Sequence, residues 1–418
     1  MENRTAERAL AQIRKQPSLE QFMELLCSPG LGSRMGKVEQ KFVCNMLRGI
    51  YEKRSLNLTE IAKGLNEQIS LHATHKRLSR NLDDPQLTQN LENRLLKLAA
   101  TAVGPDTRLI IHVYDLNKKY AKKMEFMDRL ESDSAASYRV CEILASDEGT
   151  DHYIPLITRV WSNQVPGFQS DADEIKKAAH QVMAATENRG LFYFDDASVD
   201  AIELVPFLED EDIDFISMTR NIGPTVLWRN EVTTPQMLVE QVETRYAKTM
   251  FKLVPEGLLF PSPTDMGLFM HAGSLPVKSP VTQRPLSVIA LRTKSNFDNE
   301  TATPLLTSRT NLRSRKALMG LLDSFLSMQD VIAAHRTLRE SFDPENFRVL
   351  TYGRLQLLIT LLQAVLKYEA ALACTVSLGD HLFAAKPHTG EIERTYLLPE
   401  HLQNTQSAPL SQDARAAS

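Results

Sequence analysis

The chain has 418 residues, with 48 Lys and Arg against 52 Asp and Glu and a formal net charge of −4. At about 150 residues per domain, that length allows two or three domains around a sizeable core. With 43% hydrophobic and 24% charged residues, and only 17 Gly and 20 Pro, the composition excludes a wholly disordered, collagen-like or linker-dominated chain.

The charge is unevenly spread. Residues 1–100 hold 16 Lys and Arg but 11 Asp and Glu, a net of +5 on an otherwise acidic chain. A basic N-terminal module on an acidic body is expected where only that module touches nucleic acid. The opening MENRTAERALAQIRKQ has no apolar core, so no secretory signal is expected. Residues 18–54 have helical apolar spacing, through Phe22, Leu25 and Leu26 and then Phe42, Met46, Leu47 and Ile50. Ser28-Pro29-Gly30 and Gly32 break that pattern. In residues 55–82, Leu58, Ile61, Ala62 and Leu65 mark a short helix. After a tight connection, Ser70 caps a second helix with Ala73, Leu78 and Leu82 inward. This is a helix-turn-helix pattern, and Thr74, His75, Lys76, Arg77 and Arg80 would point out of it, where phosphates and major-groove base edges are reached. The His72-x-x-His75 pair has no further metal ligands nearby in sequence.

After Gly104-Pro105 strands begin: 108–115, then 139–146 and 152–161 as a hairpin. A helix over 170–186 opens at Ser170 and Asp171, followed by a strand at 190–196, a helix at 203–210 and a strand at 212–220. The order β-β-β-α-β-α-β predicts a mixed sheet with helices on its faces. Residues 221–300 read as a β-containing insertion, SVIALRT and PLLTSRT return to strand, and 312–341 and 353–378 are long helices. The apolar run Leu355–Leu366, interrupted by Gln356, Thr360 and Gln363, reads as a buried helix and not a membrane span. From about Ala385 the tail is polar and expected to be loose. The four cysteines, Cys27, Cys44, Cys141 and Cys374, include no Cys-x-x-Cys pair, which argues against a zinc ribbon or disulfide scaffold and suits a reducing cytosol.

Asp115 falls at the end of the first strand, and Asp195 and Asp196 at the end of a central one. Carboxylates at neighbouring strand ends can converge on two Mg2+ ions about 3.5–4 Å apart, which activate a water and stabilise a leaving phosphodiester oxygen. Aspartates at strand ends also serve as plain turn formers.

The string YDLNKKYAKKMEFMDRL (114–130) resembles the first motif of bacterial insertion-sequence DDE transposases. FYFDDASVDAIELVPFLEDEDIDFISMTRN (192–221) is similar to their second motif. PLLTSR (304–309) resembles their Leu-Leu-Thr strand, and residues 341–368 resemble the stretch after the catalytic glutamate. KRLSRNL (76–82) fits their pre-core helices, and together the resemblance covers about residues 35–370. It implies an α/β fold with a ribonuclease H-like mixed sheet, a β-rich insertion and an N-terminal helical DNA-binding domain. The implied domains are residues 1–100 (helical, DNA-binding), 101–220 (first part of the core), 221–300 (insertion), 301–384 (last part of the core) and 385–418 (flexible tail).

The chain departs from the family at its acids. The first acid normally stands eight residues before the Tyr of the Lys-Tyr-x-Lys-Lys string; here that position is His112, with Asp115 three residues later. Asp196 and Asp200 keep the acid spacing of the second motif, but Ala197-Ser198 replaces its Arg-Gly. In the third motif Phe325, Gln329, Ile332, Arg336 and Arg339 fall on the Tyr, Trp, Glu, Arg and Lys positions. Ile332 offers no oxygen, and His112 is a poor ligand for a hard cation.

Two function classes follow from the resemblance. In one, the chain is a transposase-derived, double-stranded DNA-binding protein with metal chemistry weakened or lost, in which Lys118, Lys119, Lys122, Lys123, Arg336 and Arg339 still meet phosphates. In the other it is an active transposase, cleaving and joining strands with Mg2+; Asp115, Asp196 and Glu340 are then the candidate catalytic acids, and Asp115 and Asp196 the metal ligands. A homodimer located in the bacterial cytoplasm, at the nucleoid when bound to DNA, is implied by the resemblance only.

Overall fold

A computed structural model describes residues 18–118, 124–127, 136–147, 152–195, 199–219, 223–254, 264–295 and 300–383. The described chain begins with a helical module: α1 (Leu19–Leu26), a 3-10 turn (Pro29–Leu31), α2 (Lys37–Lys53), α3 (Leu58–Gly64), α4 (Leu71–Asn81) and α5 (Pro85–Ala100). Ser18, Asn57, Ser70 and Asp84 cap α1, α3, α4 and α5 with side-chain oxygens on backbone N–H groups that have no partner inside the helix. Gly49 lets α2 and α3 cross closely, since a Cβ there would sit 2.5 Å from Ile61 Cγ2.

Strands β1 (Arg108–Lys118), β2 (Ala136–Ser146) and β3 (Tyr153–Trp161) form an antiparallel meander. Helix α6 (Asp171–Thr186) leads to β4 (Leu191–Asp195), which pairs parallel to β1. Helix α7 (Ala201–Asp210) then leads to β5 (Phe215–Met218), parallel to β4. The strand order of this part is therefore β3-β2-β1-β4-β5.

The described residues of 221–300 do not form a separate layer. They contribute β6 (Val226–Trp228), β7 (Glu231–Thr233), the short α8 (Pro235–Leu238), β8 (Tyr246–Val254), β9 (Thr264–Lys278) and β10 (Pro285–Ser295). Through β11 (Thr301–Thr307), which pairs antiparallel to both β10 and β5, these strands prolong the same sheet to eleven strands among the described residues. The region expected as one helix over 312–341 is α9 (Arg315–Leu326) and α10 (Met328–Glu340), meeting at Ser327. The final helix α11 spans Tyr352–Phe383, longer than expected; the tail beyond it lies outside the described residues.

The two sheet faces bury different helices. Leu109, Ile111 and Val113 of β1 pack with α5, α6 and α7, while Ile110 packs with Leu318, Leu322, Phe325, Val331 and Ile332 of α9 and α10. A further cluster joins the helical module to α11 and to Leu116, Tyr138, Val140 and Val160 at one end of the meander. By length and composition the Tyr352–Leu372 stretch of α11 is apolar enough to cross a bilayer, but 78% of that window is buried inside the protein, as a core helix is.

Three buried polar residues of α11 have partners. Thr360 donates to Gln356 O, Gln363 Nε2 to Leu156 O of β3 at 3.1 Å, and Lys367 Nζ to Leu95 O of α5 at 2.6 Å. Burial pushes the Lys367 amine from 10.5 down to about 7. A lysine with a lowered folded-state pKa costs stability that is absent above pH 10.5, grows as pH falls and is complete by about pH 7. Lys367→Met should therefore stabilise the protein by about 1–3 kcal/mol at pH 7. Urea unfolding at neutral and at alkaline pH checks this; the gain should shrink as pH rises toward 10.5.

Candidate nucleic-acid interface and buried charge cluster

Helices α2, α3 and α4 pack together, and α4 presents its polar side outward. Leu78 and Leu82 are buried as the periodicity requires, but Thr74 is also buried and Ala73 is exposed. The buried stripe is therefore Thr74, Leu78 and Leu82, with Thr74 and not Ala73 at its N-terminal end. Glu67, in the turn before α4, accounts for the difference. The Thr74 hydroxyl donates to one Glu67 oxygen at 2.8 Å, and Arg77 Nη2 donates to both at 2.8 Å. The Arg77 bonds in particular hold the Glu67 carboxyl below the usual range. Thr74 is thus removed from the candidate DNA-facing set and Arg77 is already engaged. His72, Lys76 and Arg80 are exposed, and His75 is half-buried.

The module is anchored to the rest of the chain by Arg54. Its guanidinium reaches Glu369 of α11 at 2.6 Å and lies over the Phe342 ring, 4.5 Å from the centroid. Arg94 of α5, fully buried, donates to the carbonyls of Leu26, Ser28 and Ser33 and to Asn90 Oδ1.

In the core, strand alternation sorts the candidate acids. Asp115 is not at the strand end, because β1 continues to Lys118. It stands on the α6 side of the sheet, exposed, opposite Arg139, whose guanidinium lies 3.4 Å from it and 3.7 Å from Asp171. His112 and Tyr114 are on the other side, facing α10. Asp195, the last residue of β4, alternates with Phe194 and so shares the side of Tyr193 and α9, where it is buried. Asp196 lies outside the described residues, as do Lys119, Lys122 and Lys123; of Lys118 only the backbone, in β1, is described.

Facing α10 is a cluster built round Glu142, a residue the sequence did not single out. Glu142 of β2, directly opposite His112 in the register, is 2% exposed. It accepts a bond from Arg339 Nη1 at 2.9 Å, and His335 Nε2 stands 3.0 Å from the same oxygen without hydrogen-bond alignment. Burial alone would raise the Glu142 pKa, but the charges of His335 and Arg339 outweigh it and hold the carboxyl at about 2. Arg339 also lies over the Tyr114 ring, 3.5 Å from its centroid, and Tyr114 stacks on His112. Burial pushes the His112 imidazole down to about 4, and its Nε2 has no hydrogen-bond partner.

Arg339 is therefore a buried partner of Glu142 and not a phosphate-contacting residue, which corrects its expected role. Arg336 is exposed. The buried stripe of α10 is Met328, Val331, Ile332, His335 and Arg339, and Glu340 is exposed off that stripe. The structure does not bring Asp115 and Glu340 together, because Asp115 faces away from the side that α10 covers. Among the described residues no group of three or more His, Cys, Asp or Glu could hold a metal ion. Two Mg2+ ions require free carboxylate oxygens. The donors facing α10 do not fit that requirement, because Glu142 is already neutralised by a guanidinium.

No family model matches the chain, and no curated protein matches it. Among solved structures it is similar to a piggyBac transposase in a synaptic complex with hairpin DNA, at 9% identity and a TM-score of 0.46, over 86% of this chain and 75% of that one.

Removing one partner of a buried ion pair leaves an uncompensated charge, so Glu142→Gln or Arg339→Leu alone should cost about 3–5 kcal/mol in urea unfolding, and the double variant less than either. Both Glu142 and His112 hold fewer protons folded than unfolded, so acid destabilises through each. The His112 contribution is lost from pH 6.5 down to about 4, and the Glu142 contribution from 4.5 down to about 2. His112→Phe should flatten the unfolding midpoint between pH 6.5 and 4 and leave the lower limb in place.

Proposed function

We propose that this is a transposase-like, double-stranded DNA-binding protein in which metal-dependent strand cleavage is weakened or lost. The observation that carries the reading is the Glu142–Arg339–His335 cluster. It occupies the side of the core sheet where His112 and Ile332 stand at positions the resemblance gives to acids. The β3-β2-β1-β4-β5 order, with β1–β3 antiparallel and β4 and β5 parallel to β1, supports a ribonuclease H-like core. In this reading the N-terminal helices grip DNA through Lys76 and Arg80, with His75 at the edge, and Arg336 is a secondary contact. A homodimer in the bacterial cytoplasm, at the nucleoid when bound to DNA, completes the proposal.

A second reading, an active transposase using Mg2+, is favoured by one observation. Asp195 ends β4 on the same side as His112, with Asp196 next in sequence. Incubating the purified chain with DNA from the ends flanking its gene and Mg2+ or Mn2+ separates the two. Nicking that disappears in Asp195→Ala or Asp196→Ala supports the enzyme; binding without nicking supports the non-catalytic reading.

For binding itself, affinity should fall steeply with salt as counterions are released. Lys76→Ala with Arg80→Ala should weaken binding and reduce the slope of log K against log salt by about 2, read by fluorescence anisotropy. Unchanged affinity and slope in that double variant would remove α4 from the interface.

A further inference from the structure

A polar cavity of about 250 Å3 lies where α5, β3 and α11 meet. Thr88 and Glu92 of α5, Thr158 and Arg159 of β3, and Gln356 and Thr360 of α11 line it. At roughly 30 Å3 per water in the liquid, the space far exceeds that of one water. It falls just below the roughly 300–1,000 Å3 of pockets that take drug-sized ligands, so its size suits a small metabolite.

Two opposite charges face this cavity without pairing. Arg159 Nη2 donates to Glu174 of α6 at 2.7 Å, and Arg159 Nε is buried with no hydrogen-bond partner. Glu174 is shared with Lys177 at 2.5 Å, so this group of three keeps a net positive charge. Glu92 feels the Arg159 charge, but among the described residues its one hydrogen bond is from Thr360 Oγ1 at 3.4 Å. The single proton of that hydroxyl is better placed on Gln356 O, at 2.9 Å. Burial raises the Glu92 pKa against the pull of both partners. The cavity wall therefore holds a guanidinium N–H in need of an acceptor and a carboxyl in need of a donor.

We propose that this cavity binds a free α-amino acid, with its carboxylate on Arg159 and its ammonium on Glu92. A plain anion such as phosphate would be repelled by Glu92, and a plain cation by Arg159. A neutral polyol would leave both charges uncompensated. A zwitterion answers each charge with its opposite and leaves the cavity's charge balance unchanged. Thr88, Thr158 and Gln356 add hydroxyl and amide groups around it. The bound molecule would touch the N-terminal module through α5 and the core through β3 and α11, so binding would tie the two together. This assignment does not depend on the DNA-binding reading.

The test titrates the full chain with each common L-amino acid at millimolar concentration, followed by calorimetry and by thermal unfolding. At least one should bind saturably and raise the unfolding midpoint, as mass action requires. For that amino acid, the matching acid without the amine and the matching amine without the carboxylate should each bind at least about tenfold more weakly. Glu92→Gln and Arg159→Lys should each weaken binding by at least about tenfold, the lysine because it keeps the charge but loses the Nε–H. His180→Ala, in the neighbouring groove that Arg159 also lines, should leave affinity unchanged. Unfolding midpoints without ligand show that the variants fold, and Glu92→Gln removes only a charge that burial disfavours. Failure of every common L-amino acid to bind, equal affinity for either truncated analogue, full affinity in Glu92→Gln, or loss of binding in His180→Ala would overturn the proposal.

Discussion

A carboxylate in the middle of a buried strand cannot stay charged without a cation against it, and the core of this protein is arranged around that requirement. Glu142 lies between sheet and helix, so α10 must turn the same side of its surface toward the sheet at His335 and at Arg339, one turn apart. That rotation also fixes what else faces the sheet: Ile332 and Val331, both hydrocarbon, and no acid. Tyr114 closes the guanidinium from the other side with its ring face. The arrangement is self-consistent because each member needs the others. An unpaired Glu142 or a bare Arg339 would each be worse placed than in water.

The remainder of the molecule repeats the principle with neutral acceptors. Arg94 is buried and collects carbonyl and amide oxygens, and Arg108, also buried, collects carbonyl and hydroxyl oxygens. Arg108 draws Ser146, Ser324 and Ser327 together, joining the start of β1, the end of β2 and the α9–α10 junction. These cationic pins sit where chain segments distant in sequence must meet, at places apolar packing alone would leave loosely specified.

Much of this was legible in the sequence. The β-β-β-α-β-α-β order, the Ser70 and Ser170 caps and the buried α11 follow from periodicity and capping chemistry. What was not legible depended on partners outside each local pattern. Thr74 and Ala73 are both small, so the pattern could not say which of them ends the buried stripe of α4; the Glu67 carboxylate, close in sequence but in the preceding turn, selects Thr74. Asp115 reads as a strand end only if β1 stops there, and pairing with β2 carries it three residues further. The continuity of β6–β10 with the core sheet is a matter of which strands find β5 and β11, which no local window records. The best missed signal was Glu142, the lone acid inside RVCEILAS, in the middle of a stretch otherwise apolar enough to be buried. A charge in such a run announces a buried partner, and Arg339 of the last core helix was already singled out for other reasons.

The core shared by the N-terminal helices and α11 has a consequence for synthesis. Lys367 and Leu95, which touch through a hydrogen bond, are 272 residues apart in sequence. At about 5–20 residues per second, a ribosome needs on the order of fifteen to fifty seconds to make that interval. During that time the greasy side of α2 and α5 has no cover from its final neighbour. Long-range closure of this kind slows folding and leaves the nascent chain sticky, so efficient production of this protein should depend on chaperone attendance until the last helix leaves the exit tunnel.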